Sequence, residues 1–148
     1  MSGDKVTIVD AQIDGQNALT LENDFTWPLQ PGNRSESYLT VSKQVTDYAQ
    51  ENSIAKAFVK ESAVSGRGAA TMALLQSAEL RGVVMAALAA VVPTVTKSKA
   101  SISKTFGERK VDDYVKDDDF WKKEVKGIAL RSGSREAVMV LLSARNNQ

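Results

Sequence analysis

The chain has 148 residues, of which 43% are hydrophobic and 25% charged, and its formal net charge is +1. That length carries one domain with a real core, and the near-neutral charge gives no overall field toward nucleic acid or membrane, so such a partner would need a local patch. Cysteine and histidine are both absent, which excludes disulfides, thiol catalysis, cysteine zinc sites, Ser-His-Asp triads and histidine general bases. Any chemistry falls to carboxylates, Lys, Ser, Tyr or the backbone. Carboxylates without histidine suit hard cations such as Mg²⁺.

Met1-Ser2-Gly3-Asp4 leads straight into a strand, so no secretory leader is expected and the cytoplasm is the default. Lys5 to Asp14, KVTIVDAQID, is β-branched and mostly apolar, and Asp14-Gly15 is a turn pair. Gln16 to Glu22 alternates well enough to complete a hairpin. Phe25 to Leu29 is expected as a short third strand, with Pro28 marking an edge. Asn33 with Glu36 resembles a capping box. Tyr38, Val41, Val45 and Tyr48 then recur at helical spacing, predicting a helix from about Ser35 to Gln50.

Ile54 to Glu61 reads as a fourth strand that carries a carboxylate at its end. A loop of small residues follows, Ala63-Val64-Ser65-Gly66-Arg67-Gly68, and then a long helical pattern. In that helix Leu75, Ala78, Gly82, Met85 and Ala89 fall on one stripe, mostly small, suited to close packing on a sheet. Val83 to Val92 has no polar residue, which predicts a deeply buried second half. The run is too short to cross a bilayer, bounded as it is by Arg81 and Pro93, so a core helix is expected and no membrane partner. Val91 to Val95 is a fifth strand or the helix end.

Lys97 to Lys110 is the most basic stretch, with a short helix starting at Ser98 or Ser101 and stopping at Gly107. The acidic run Asp112, Asp113, Asp117, Asp118 and Asp119 follows. The bland reading of both runs is a solvated, self-compensating surface. Phe120-Trp121 reads as a lid over the core in preference to an exposed docking spot. From Ser132-Gly133-Ser134 a last helix, REAVMVLLSARNN, turns Ala137, Val138, Leu141 and Leu142 inward. No repeat or linker interrupts the chain, so residues 1–148 are expected to be a single domain. The order is βββαβαβα, with the later strands added through right-handed crossovers.

AFVKES, then GRGAATMALLQSAELRG, resembles the central part of RuvC-type Holliday-junction resolvases, in which a strand ends on a catalytic Glu and the next helix carries a segment like Glu79-Leu80-Arg81-Gly82. TVTKSKASISKTFG lies where those resolvases carry a lysine-containing stretch. QIDGQNA at Gln12 to Ala18, VPTVTKSKASISK at Val92 to Lys104 and REAV at Arg135 to Val138 are similar to an uncharacterised bacterial family with the same RNase H-like fold. The resemblance covers most of the chain from Val6 onward. It implies a three-layer α/β fold, a mixed five-stranded sheet with helices on both faces.

The resemblance also implies Mg²⁺ held by carboxylates from the first strand, the fourth strand and the last helix. Glu61 fits the fourth-strand position. Asp10 fits the first-strand position in the resolvase register, whereas the uncharacterised family's register puts Gln12 there. Both point to one face of the strand, so spacing does not choose. Glu136 fits one of the two last-helix acids, and Gly133 occupies the place of the other. Asp112 or Asp113 could substitute only by folding in from the preceding loop.

Three functions follow as expectations. One is a metal-dependent nuclease on branched or structured nucleic acid, with Asp10, Glu61 and Glu136 as catalytic metal ligands and Arg67, Lys97, Lys99 and Lys104 on phosphates. The second is a non-catalytic RNase H-like module that binds nucleic acid or a protein partner. The third is nucleotide or sugar binding, supported only by Gly66-Arg67-Gly68, since no GxxxxGK[ST] is present. Each acid also has an ordinary reading: Glu61 paired with Lys60, Arg67 or Arg81, Glu136 as a first-turn acid favoured by the helix dipole, and Asp10 as a polar hairpin position. The small-residue face of the long helix leaves homodimerisation open.

Overall fold

The computed structural model describes residues 1–14, 18–63, 68, 70–106 and 109–146. The Asp14-Gly15 turn, most of the loop after Glu61 with Arg67, and the Gly107 helix stop lie partly or wholly outside the described residues. The elements run β1 (Lys5–Gln12), β2 (Leu19–Pro28), α1 (Arg34–Glu51), β3 (Ala57–Lys60), α2 (Met72–Ala89), β4 (Thr94–Lys97), α3 (Lys99–Phe106), α4 (Val111–Val115), α5 (Asp118–Glu124), β5 (Val125–Gly127), a 3-10 turn (Ser132–Ser134) and α6 (Arg135–Asn146).

Among the described residues there are five strands, in two hydrogen-bonded groups: β1-β2-β5 and β3-β4. The expected second and third strands are one strand, β2. Asn23 and Asp24, between the two expected strands, lie within β2, since a strand tolerates such residues when their polar groups find partners. Leu29 N donates to Asp4 O at 2.7 Å and the Thr7 and Thr26 hydroxyls meet at 3.2 Å, so rising numbers on β1 face falling numbers on β2 and the pair is antiparallel. The fifth strand falls later than expected, at Thr94–Lys97. β5 went unread, because three residues carry no period.

Two compact units divide the residues. The first takes Met1–Val6 and Trp27–Thr96; the second takes Thr7–Thr26 and the chain from Lys97 onward.

In the first unit α1 packs against α2, and α2 against β3. Asn33 caps α1 by accepting from Ser35 N at 2.9 Å. The helix buries Ser37, Val41, Val45 and Ala49, one turn apart, as the spacing of Val41 and Val45 predicted. Arg34 donates to the Tyr38 hydroxyl, and that hydroxyl donates to Glu79 at 2.9 Å, which ties α1 to α2. Trp27 meets Tyr48 edge-on at 6.0 Å.

The face of α2 differs from the expectation. Leu80, Arg81, Val84 and Ala87 are buried, whereas Leu75, Ala78, Gly82 and Ala89 of the anticipated inner stripe are exposed. The second half is apolar all round, so periodicity had no polar face from which to choose. The exposed side begins with Met72, Leu74 and Leu75, at 67%, 46% and 50%. By length and composition α2 passes for a membrane span, contrary to the expectation from Val83–Val92 alone. Its inward Arg81 and its packing on α1 are features of a helix set against protein.

In the second unit α6 packs against α3 and α4. It buries Val138, Met139, Val140, Leu142, Ser143 and Ala144; of the expected inner residues Val138 and Leu142 are buried, and Ala137 and Leu141 are half-buried. Leu19 and Leu21 of β2, Ile102, Val111, Tyr114 and Trp121 are buried in the same unit. The acidic run forms two short helices, α4 and α5, with Asp112, Asp113, Asp118 and Asp119 exposed, in keeping with the solvated-surface reading. Asp117 caps α5 by accepting from Phe120 N at 3.1 Å. Trp121 is buried as the lid reading had it, its indole N–H donating to Tyr114 O at 2.9 Å.

β5 runs parallel to β2 with Leu21 opposite Gly127. Gly127 has φ +96°, and a Cβ there would collide with the Leu21 carbonyl. Only glycine permits that approach in that conformation.

Candidate functional site

The carboxylates implied by the resemblance sit on the elements expected. Asp10 is half-buried near the end of β1, and Gln12, two residues on, is exposed. Glu61 follows directly after β3 and is exposed. Its Oε1 accepts from the Thr96 hydroxyl of β4 at 2.9 Å. Arg81, a predicted partner for Glu61, instead donates to Ser62 Oγ at 2.5 Å. Glu136 is half-buried in the first turn of α6. Asp10 and Glu136 belong to the second compact unit and Glu61 to the first.

Gly133, in the turn before α6, is exposed, and a Cβ there would meet nothing within 4 Å. The position lacks an acid but has room for one. Asp112 and Asp113 do not stand in for it: Asp112 pairs with Lys99 and Asp113 accepts from Lys110 N at 3.3 Å.

Among the described residues no group of three or more acidic side chains could hold a metal ion. A two-ion centre needs several bridging carboxylates on shared octahedral ions. The donor set among the described residues therefore does not amount to the Mg²⁺ centre that the resemblance implies.

The basic candidates divide. Lys99 Nζ lies 3.0 Å from Asp112 Oδ1, so its charge is already engaged. Lys97 is half-buried at the end of β4, Lys104 is exposed on α3, and no ion pair among the described residues engages either. Arg109, in the same basic stretch, is held by Asp117 at 2.9 Å. The self-compensating surface reading therefore holds for two of the five cations of that stretch, Lys99 and Arg109.

A polar cluster went unread in the sequence. Asp24 on β2 has a side chain only 1% exposed. It accepts from Arg131 N at 3.0 Å, Arg131 Nη2 at 2.7 Å and Ser134 Oγ at 2.5 Å. Burial pushes this carboxyl upward, but the hydrogen bonds from Arg131 and Ser134 outweigh it and hold the pKa below the ordinary value. The cluster pins to β2 the turn from which α6 starts. The residues are far apart in sequence and none is unusual alone, so no local signal pointed to them.

No protein-family model and no curated protein matches this sequence. Solved structures do match. Thermus thermophilus RuvC in complex with Holliday junction substrate superposes with a TM-score of 0.72, at 12% identity, over 97% of this chain and 88% of that one. The Thermus thermophilus RuvC structure on its own gives 0.67 at 13% identity, over 96% and 86%. With β1, β2, β3, β4, α2 and α6 arranged as described, these likenesses establish that the chain has a RuvC-like, RNase H-like fold.

Proposed function

We propose that this protein binds nucleic acid, with branched duplexes as the preferred substrate class, and acts as a single RNase H-like domain over residues 1–148. The observation that carries the reading is the fold likeness, across nearly the whole chain, to a resolvase seen with a Holliday junction. Lysines supply the attraction to phosphate, and binding falls as salt rises. Lys97 and Lys104 are the candidates on β4 and α3, and the expected phosphate contact Arg67 lies outside the described residues.

A second reading, a Mg²⁺-dependent endonuclease with Asp10, Glu61 and Glu136 as ligands, has one observation in its favour. Glu61 is exposed at a strand end, and its recorded partner is a hydroxyl rather than a cation. Among the described residues no three-acid group stands together, so binding is the first reading and cleavage the second. Self-association through α2 belongs to the same proposal, because its exposed face, from Met72 through Ala78 and Gly82 to Ala89, is apolar and small.

Anisotropy titration of a labelled four-way junction against a linear duplex, in EDTA, tests binding. Junction preference is the expected result, and equal or absent binding sinks the reading. Adding Mg²⁺ or Mn²⁺ then separates the two readings. A cut that vanishes in Glu61→Gln, Asp10→Asn or Glu136→Gln establishes the enzyme; an intact junction leaves a binding module.

A further inference from the structure

We infer that Lys122, Lys123 and Lys126 form a phosphate-backbone contact surface on the second compact unit; the inference deepens the proposed function and rests on it. The three lysines fall within five residues, at the end of α5 and in β5, and all are exposed.

The acids beside them are already engaged. Glu124 is held by Arg145 Nη2 at 3.0 Å, with side chains only 21% and 9% exposed. Asp118 is held by Arg135 Nη2 at 2.6 Å. Asp119 remains, 96% exposed and 3.8 Å from Lys122 Nζ, a separation and exposure at which an ion pair contributes little. No ion pair among the described residues engages Lys123 or Lys126. Arginines thus neutralise Glu124 and Asp118, and with only Asp119 near Lys122 most of the lysine charge is left to solvent.

The Lys97–Lys110 stretch, more basic by composition, has Lys99 and Arg109 paired and spreads Lys97, Lys104 and Lys110, which no ion pair among the described residues engages, over 14 residues. Two ordinary explanations each cover part of the pattern. The dipole at a helix C-terminus favours Lys122 and Lys123 but not Lys126. A lysine on the outer strand of a sheet discourages strand addition, which applies to Lys126 alone. Contact with a polyanion covers all three.

The chemistry also sets the kind of recognition. Lysine is a flexible point charge suited to phosphate, whereas the rigid fork of arginine is the better bidentate reader of guanine. Every described arginine is engaged by the protein itself: Arg34, Arg81, Arg109, Arg131, Arg135 and Arg145. Binding at this surface is therefore independent of sequence.

The test compares K122E/K123E/K126E with wild type on labelled four-way junctions of two unrelated sequences, from about 50 to about 200 mM salt. K5E/K43E/K56E, three exposed lysines of the first unit, is the charge-matched control. Glutamate keeps a charge on β5, so the guard against strand addition survives, and circular dichroism checks the fold. The expected result is binding weakened about tenfold or more for both sequences, a salt slope lowered by about 0.9 per lost contact, and a much smaller change in the control. Wild-type affinity in the triple variant overturns the surface, as does equal weakening in the control or a loss confined to one sequence. A wild type that binds no junction overturns the proposed function itself, and this surface with it.

Discussion

Two apolar helices, α2 and α6, meet opposite fates. α6 has 12 residues and α2 has 18, yet six residues of α6 are buried and only four of α2. Moreover, one of the four in α2 is Arg81. α6 is fixed at both ends by charge. Arg135 donates to Val115 O at 2.9 Å and to Asp118, and Arg145 pairs with Glu124. α2 is joined to α1 near its middle through Glu79, and its first turn leaves Met72, Leu74 and Leu75 in the open. Apolar content therefore measures how much a helix can bury. What it does bury is set by the faces its neighbours supply.

The largest effect that tests this contrast is Leu142→Ala in α6. Leu142 is fully buried, so the variant loses about 3 kcal/mol of stability from transfer and cavity terms. Leu75→Ala in α2 stays within about 0.5 kcal/mol. Chemical denaturation measures both, and equal losses would break the contrast.

Next comes Asp24→Asn, which removes the charge that anchors the turn before α6, at a cost of about 2 kcal/mol. The folded carboxyl titrates below its ordinary 3.8, so its contribution is present above that pH and disappears as pH falls through the folded value. The gap between wild type and Asp24→Asn is thus constant near neutrality and closes in acid. A gap that widens below pH 3.8 contradicts the assignment.

Ala78→Glu on α2 sharpens the comparison from the other side. It leaves the melting temperature nearly unchanged and shifts sedimentation toward monomer. If no concentration-dependent association exists in the wild type, the open face of α2 has no copy of the chain as its occupant.

The smallest effect is Gly133→Asp, placed where α6 begins. Space and an ordinary φ make it near-neutral in stability, within about 0.5 kcal/mol. It supplies the second last-helix acid, and calorimetry is expected to show Mn²⁺ binding stronger than in the wild type. Unchanged binding would mean that a missing acid is not what separates this chain from a metal centre.

Much of the fold was legible. Val41 and Val45 marked the buried face of α1, Asn33 its start, and the run ending at Glu61 the strand β3 with its terminal carboxylate. Trp121 was correctly assigned to the interior. The misses have specific causes. β5 is three residues long and is defined by its register against Leu19 to Leu21, which no local pattern encodes. The join of two expected strands into β2 depends on Asp24 finding Arg131, more than a hundred residues away. Of the candidate site, the elements carrying Asp10, Glu61 and Glu136 were legible, and Gly133 was read as a missing acid. The engagement of Lys99 by Asp112 and of Arg109 by Asp117 was not, because a run of charges does not say which partners meet.

By itself the sequence determined the catalogue of available chemistry. Without cysteine or histidine, only carboxylates, hydroxyls and cations remain, and local periodicity and turn residues locate β1, α1, β3, α2 and α6. The tertiary structure alone decided which side of α2 faces the interior, which lysines keep their charge, and where Asp24 is satisfied. Those outcomes depend on contacts between distant segments, and local patterns of side-chain polarity carry no information about distant partners.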